Sequence, residues 1–319
     1  MPKRKLTSVD VSIEPIKTAK DKIKQPDLAK EENNMVIPPL GSSVLICGKS
    51  GSGKSTLLAR LLIEKQFYKG FFDKMFLFSP TANGDDVQKK LGIPPEHVFT
   101  DLEEAPEMLE MILTSQKEQL ENAPAHKVPQ YAIIFDDVIG DITFMNSREF
   151  TQCFYQVRHV CCTTFLCTQH FKRVPRVCRL QANFIMFFQG SMSEVETLVE
   201  EFCPPNMSKR DFSTIVCDAT RPEEKGKPNY EFLTINMKVG WELRFRKKLN
   251  ELIDMPDDDE GDEDERGGDE GDEDEWNGDD EGDEQKYAHI HKKQCRDTRP
   301  ISTEEHKQNR TRPPPRRPL

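Results

Sequence analysis

Three groups of residues have the types and spacing that phosphate chemistry requires. Gly48-Lys49-Ser50-Gly51-Ser52-Gly53-Lys54-Ser55-Thr56 fits the pattern G-x-x-x-x-G-K-[ST]. Glycines let a backbone curl until successive N–H groups point inward, where phosphates meet the positive end of the following helix. In such a loop Lys54 would reach the β- and γ-phosphates of a nucleotide, and the Ser55 hydroxyl would ligate Mg²⁺. The second group is the pair Asp136-Asp137, directly after the apolar run Tyr131–Phe135. Asp136 would hold Mg²⁺ through water and Asp137 would polarise the attacking water, although a strand ending in a turn-forming acid pair has the same look. The third is Gln169, which closes the run Thr163–Thr168. A polar residue there can sense a γ-phosphate and orient water, and a glutamine that merely caps a strand is the plainer alternative.

These groups need strands that end at a common edge. Val44–Cys47 reads as a buried strand, and Leu57, Leu58, Leu61 and Leu62 recur at helical spacing behind the glycine-rich loop. A flexible Gly/Ser linker would have polar flanks instead. Lys74–Ser79 predicts a second strand stopped by Pro80, followed by an Asn83-Gly84 turn, a short helix through Val87–Leu91 and a short strand at Val98-Phe99. Leu102–Leu120 predicts an amphipathic helix on the outer face of the sheet, and Arg148–Val160 a helix with Phe150, Phe154 and Val157 on one side. Asn183–Gln189 predicts another strand and Ser193–Phe202 a helix. Thr214–Cys217 and Glu231–Ile235 predict a hairpin, and Trp241–Ile253 a basic amphipathic end. Buried strands alternating with helices imply an α/β fold: a mostly parallel sheet covered on both faces, with the C-terminal β-hairpin adding antiparallel strands at an edge.

Charge is divided unevenly along the 319 residues. Residues 254–284 hold 20 Asp/Glu and one Arg, so −19 there against −11 for the whole chain leaves +8 elsewhere. The acidic stretch has almost nothing to bury and is expected to be disordered. Residues 286–319 reverse the sign, with ten Lys/Arg against three acids and a Pro-rich end. Both runs could serve nucleic-acid binding or import, or could only solubilise. Residues 1–40 are Lys-rich and predict a flexible basic arm, whose Pro2-Lys3-Arg4-Lys5 reads equally as an import signal or a solvated terminus. The domain plan is therefore an arm at 1–40, a P-loop body at 41–253, an acidic segment at 254–285 and a basic tail at 286–319. Nine cysteines form no C-x-x-C pair and mostly sit in apolar runs, as buried hydrophobes do in a reducing compartment; this argues against zinc. No apolar run reaches membrane-spanning length and no signal peptide opens the chain.

On these residues the chain resembles the genome-packaging ATPases of poxviruses and other large DNA viruses, adintoviruses and Maverick/Polinton elements, a branch of the FtsK/HerA superfamily. Gly48–Thr56 matches their Walker A loop and Ile133–Asp137 their Walker B strand. Arg158-His159 matches a pair that recurs before the sensor strand. Thr168-Gln169, followed by Pro175, Arg179 and a strand from Asn183, matches a further recurring pattern. The resemblance covers about residues 41–240. Arg179 stands four residues before Asn183, where relatives space the pair more closely, and Asp137 is one methylene shorter than the glutamate common there. The resemblance implies a RecA-like P-loop NTPase with an additional strand between the Walker A and Walker B strands, using ATP and Mg²⁺. It further implies a homo-oligomeric ring, commonly a hexamer, that drives double-stranded DNA into a preformed capsid and meets capsid or portal-vertex proteins. The setting would be the nucleus or virus factory of an infected cell, or the virion. In such rings an arginine of the neighbour stabilises γ-phosphate charge, and Arg158 and Arg179 are the candidates here. Lys172, Arg173 and Arg176 are candidates for sequence-independent DNA phosphate contacts. The competing expectations are a nucleotide kinase, which would need an Arg-rich lid and an acceptor pocket, and an ATP-gated assembly scaffold without motor activity.

Overall fold

A computed structural model of the chain describes residues 22–82, 90–224 and 226–254. Its strands are β1 (Ser43–Cys47), β2 (Lys74–Phe78), β3 (Val98–Phe99), β4 (Tyr131–Asp136), β5 (Cys162–Thr168), β6 (Phe184–Phe188), β7 (Phe232–Asn236), β8 (Phe245–Lys247) and β9 (Glu251–Leu252). Helices of at least one turn are α1 (Lys54–Ile63), α2 (Ala105–Asn122), α3 (Ile142–Met145), α4 (Arg148–Tyr155), α5 (Arg176–Gln181), α6 (Met192–Phe202), α7 (Lys209–Ala219) and α8 (Trp241–Arg244).

The strands form one sheet in the order β3-β2-β4-β5-β1-β6-β7-β8-β9. The first six are mutually parallel, and β7, β8 and β9 each run antiparallel to the strand before them. The additional strand is β5, paired with β4 on one side and β1 on the other. A parallel strand buried on both faces must be apolar at every position, which is why β1, β4 and β6 read as continuous runs. Alternate residues feed two cores. Leu45, Ile133, Phe135, Leu166 and Phe187 pack under α2, α4, α6 and α7. Val44, Ile46, Ile134, Phe165 and Met186 pack under α1 and the segment before β1. Among the described residues no helix is long and apolar enough to cross a membrane.

Two expectations change. Thr214–Cys217 is no strand: it lies inside α7, whose N-cap Ser208 accepts from the Asp211 amide at 3.1 Å. Phe212, Val216 and Ala219 all face the core from one side of that helix, and this spacing overrides the β-branched run. The antiparallel hairpin exists, but it is β7 against β8, with α8 inside its connection. The supposed arm also joins the body well before residue 40. Ala29 and Ile37 are fully buried, and the carbonyls of Met35 and Asn34 accept from Asn236 and Arg246. The Pro2–Lys5 cluster, the Asn83-Gly84 turn, most of the 87–91 helix and everything from residue 255 onward lie outside the described residues.

Candidate active site

Register brings the strand tips together. Cys47 lies beside Thr168, and Asp136 beside Cys167, so the residues that follow these strands emerge at one height on the carboxyl edge. The Gly48 amide donates to the Thr168 carbonyl at 3.1 Å and the Asp137 amide to that of Cys167 at 3.4 Å, extending the ladder by one residue on each strand. Gly48 is required by crowding: a Cβ there would stand 2.4 Å from the Cβ of Phe188. Past it the loop turns through Gly51 and Gly53, at φ +76° and +97°, and Gly53 caps α1 in the left-handed region.

The edge encloses a cleft of about 330 Å³ lined by the loop from Ser50 to Thr56 together with Asp136, Asp137, Thr168 and Gln169. Lys54 is nearly buried at the first turn of α1, and its ammonium folds back onto the Lys49 carbonyl at 2.9 Å. Asp137 holds a left-handed backbone at φ +55°, a conformation Asp tolerates better than most residues, and this turns the chain sharply at the tip of β4. Gln169 Nε2 donates to Asp137 Oδ1 at 3.4 Å, so the glutamine and the second acid are neighbours. Burial raises the Cys167 thiol far above its ordinary range and the Asp136 carboxylate adds to the shift, so Cys167 lines the cleft as a neutral group. A glycine-rich loop, a helix N-terminus, an ammonium, two carboxylates and a carboxamide can together hold an anionic phosphate chain and direct water at its end.

Lys54, Ser55, Asp136, Asp137 and Gln169 are thus assembled in one place, with the loop from Ser50 to Thr56 beside them. Two sequence-selected arginines are not. Arg158 stands at the far edge of the sheet, its Cα close to Gly41 just ahead of β1, and is exposed. Arg179 is buried and turned inward. Its fork bonds both Glu201 carboxylate oxygens at 2.6 and 2.7 Å, and a third nitrogen donates to the carbonyls of Lys172 and Val174. Lys172, Arg173 and Arg176 are exposed on the stretch between β5 and β6, shortly beyond Gln169. Thr81 and Tyr230 also line the cleft, and sequence reasoning passed over both. Thr81 could have been found, since it lies three residues past the end of β2 on the same sheet edge. Nothing local marks Tyr230.

The family model for the Poxvirus A32 protein matches residues 33–219, more than half of the chain. No curated protein sequence matches. Among solved structures, the genome packaging NTPase B204 from Sulfolobus turreted icosahedral virus 2 in complex with AMP is 15% identical over 65% of this chain and 96% of its own, with a TM-score of 0.40. B204, the DNA-packaging ATPase from Sulfolobus Turreted Icosahedral Virus, is 16% identical over 65% of this chain and 97% of its own, at 0.45. EssC (ATPases 2 and 3) from Geobacillus thermodenitrificans is 15% identical over 69% of this chain and 41% of its own, at 0.44.

Proposed function

The chain belongs to the poxvirus A32 protein family, and on that premise we propose that it is an ATP-hydrolysing motor that translocates double-stranded DNA into a preformed capsid. One observation carries the reading: Lys54, Asp136, Asp137 and Gln169, drawn from two strand tips and a helix start, line a single cleft beside a glycine-rich loop. The glycine-rich loop that follows Gly48 and the start of α1 receive the phosphate chain. Lys54 leaves the Lys49 carbonyl to bind the β- and γ-phosphates. Asp137 draws a proton from the attacking water, and Gln169, already hydrogen-bonded to Asp137, orients that water toward the γ-phosphorus. Ser55 and Asp136 would hold Mg²⁺; an all-oxygen pair with one carboxylate suits this hard cation, which offsets charge on the phosphate oxygens when bound.

No arginine lines the cleft among the described residues. Charge growing on the γ-phosphate is therefore assigned to an arginine of a neighbouring subunit in a homo-oligomeric ring, a hexamer in our reading. Arg158 suits that role, being exposed and on the edge away from its own cleft. Lys172, Arg173 and Arg176 are assigned to DNA phosphates, since a motor must ignore sequence. Residues 41–253 carry the ATPase machinery in this scheme, with residues 22–40 packed onto them and the acidic and basic segments at 254–285 and 286–319 assigned outside it. The motor would act inside an infected cell, against capsid vertex proteins. The test is ATP turnover by the purified full chain with and without double-stranded DNA, beside a mass measurement of the assembly. DNA-stimulated hydrolysis by an oligomer is expected; no hydrolysis, or transfer of the phosphoryl group to a nucleotide acceptor, overturns the proposal.

A further inference from the structure

We propose that Tyr230 is the platform on which the base of the bound nucleotide stacks; this rests on the reading of the cleft as a nucleotide site. The sheet topology places it there. A strand antiparallel to its neighbours starts where they end, and β7 pairs Phe232 with Phe188, the last residue of β6. Residues just before β7 therefore stand on the same edge as the phosphate-binding loop. In the order β4-β5-β1-β6-β7, Asp136 and Gln169 lie on one flank of the loop that follows β1, and Tyr230 on the other. A nucleotide with its γ-phosphate toward Asp137 and Gln169 would extend its base toward Tyr230.

The side chain is presented for this purpose. Tyr230 is the one aromatic residue lining the cleft among the described residues, and 54% of it is exposed. One edge of its ring lies over Gly53, 3.0 Å from where a Cβ on that glycine would stand. Gly53 thus serves twice, turning the backbone into α1 and leaving room for the ring. The backbone beside the ring is fixed on both sides. The Asn229 side chain donates through Nδ2 to the Thr220 carbonyl at 2.8 Å and to Gln189 at 3.2 Å, and its Oδ1 accepts from the Glu231 amide at 3.1 Å. A ring carried on an anchored stretch of backbone loses less freedom when a base arrives than one on a loose loop. The rest of the cleft offers hydroxyls, carboxylates, amides and an ammonium, which serve phosphates and water. A large open aromatic surface serves neither, and its match is another planar π system.

The test compares two ligands on the full chain: ATP, and inorganic tripolyphosphate, which has the phosphates without the base. Tyr230→Ala should weaken ATP binding by roughly 5- to 150-fold, the span that loss of one base–aromatic stack produces. It should leave tripolyphosphate binding unchanged, and Tyr230→Phe should bind ATP as the wild type does. Unchanged ATP affinity in Tyr230→Ala, or equal losses for both ligands, would overturn the stacking role while leaving the nucleotide site standing. A wild-type chain that binds neither ligand would overturn the nucleotide site and the platform together.

Discussion

Replacing Arg179 with alanine should damage the fold before it damages the chemistry. The guanidinium is buried beneath the segment that follows Gln169, forked onto Glu201 on α6 and bonded to the carbonyls of Lys172 and Val174. It also lies over the ring of Phe171, 5.5 Å from the centroid. The Glu201 side chain is equally buried, so truncating the arginine leaves a buried carboxylate whose remaining partner is the exposed Arg176, at 3.5 Å. Breaking a buried pair in this way costs about 3–5 kcal/mol. For a domain of this size each kcal/mol moves Tm by roughly 2–4 °C, so the variant should melt about 6–20 °C lower. Thermal unfolding followed by circular dichroism reads that shift. ATP turnover below the new Tm should fall as well, because the segment carrying Gln169 loses its anchor, whereas ATP affinity, set by the loop after β1, should hold. A second variant separates charge from anchoring. Arg179→Met with Glu201→Leu replaces the pair by apolar groups, a change that is often neutral or better for stability. Tm should recover, yet turnover should stay low because the carbonyls of Lys172 and Val174 still lack their donor. Abolished hydrolysis in Arg179→Ala with an unmoved Tm would refute this reasoning and return the guanidinium to a nucleotide.

Asp137→Asn should keep the fold, since asparagine accepts the same left-handed backbone, and should keep ATP binding while turnover drops by about 10²–10⁴-fold; near wild-type hydrolysis would remove Asp137 as the base. Gly48→Ala forces a methyl to within 2.4 Å of the Phe188 Cβ, so the loop or β6 must shift, and ATP and tripolyphosphate binding should both be lost by calorimetry. If Lys172, Arg173 and Arg176 touch DNA phosphates, each alanine substitution should lower the slope of log affinity against log salt by roughly 0.9 without altering sequence preference. A slope that stays constant would place the DNA elsewhere on the protein.

What could be read ahead of the structure divides by how far apart in the chain the deciding residues lie. Val44–Cys47, Tyr131–Asp136 and Phe184–Phe188 announced themselves because a strand buried on both faces is apolar throughout, a condition met within a few residues. The same holds for Gly48–Thr56, whose spacing and flanks together define the loop. Thr214–Cys217 misled because β-branched residues were weighed without their partners; Phe212 and Ala219, on either side, complete a helical face that only the buried neighbours select. Arg179 shows the limit more sharply. Its type and place suggested a role at a phosphate, but its orientation is decided by Glu201, 22 residues later on another helix. Tyr230 depends on still more. Its place at the cleft follows from the direction of β7 relative to β6, and that direction follows from α7 returning the chain to the carboxyl edge where the hairpin reading had put a strand. Misreading one helix therefore hid the far flank of the site, while the flank built from parallel strand tips stayed visible.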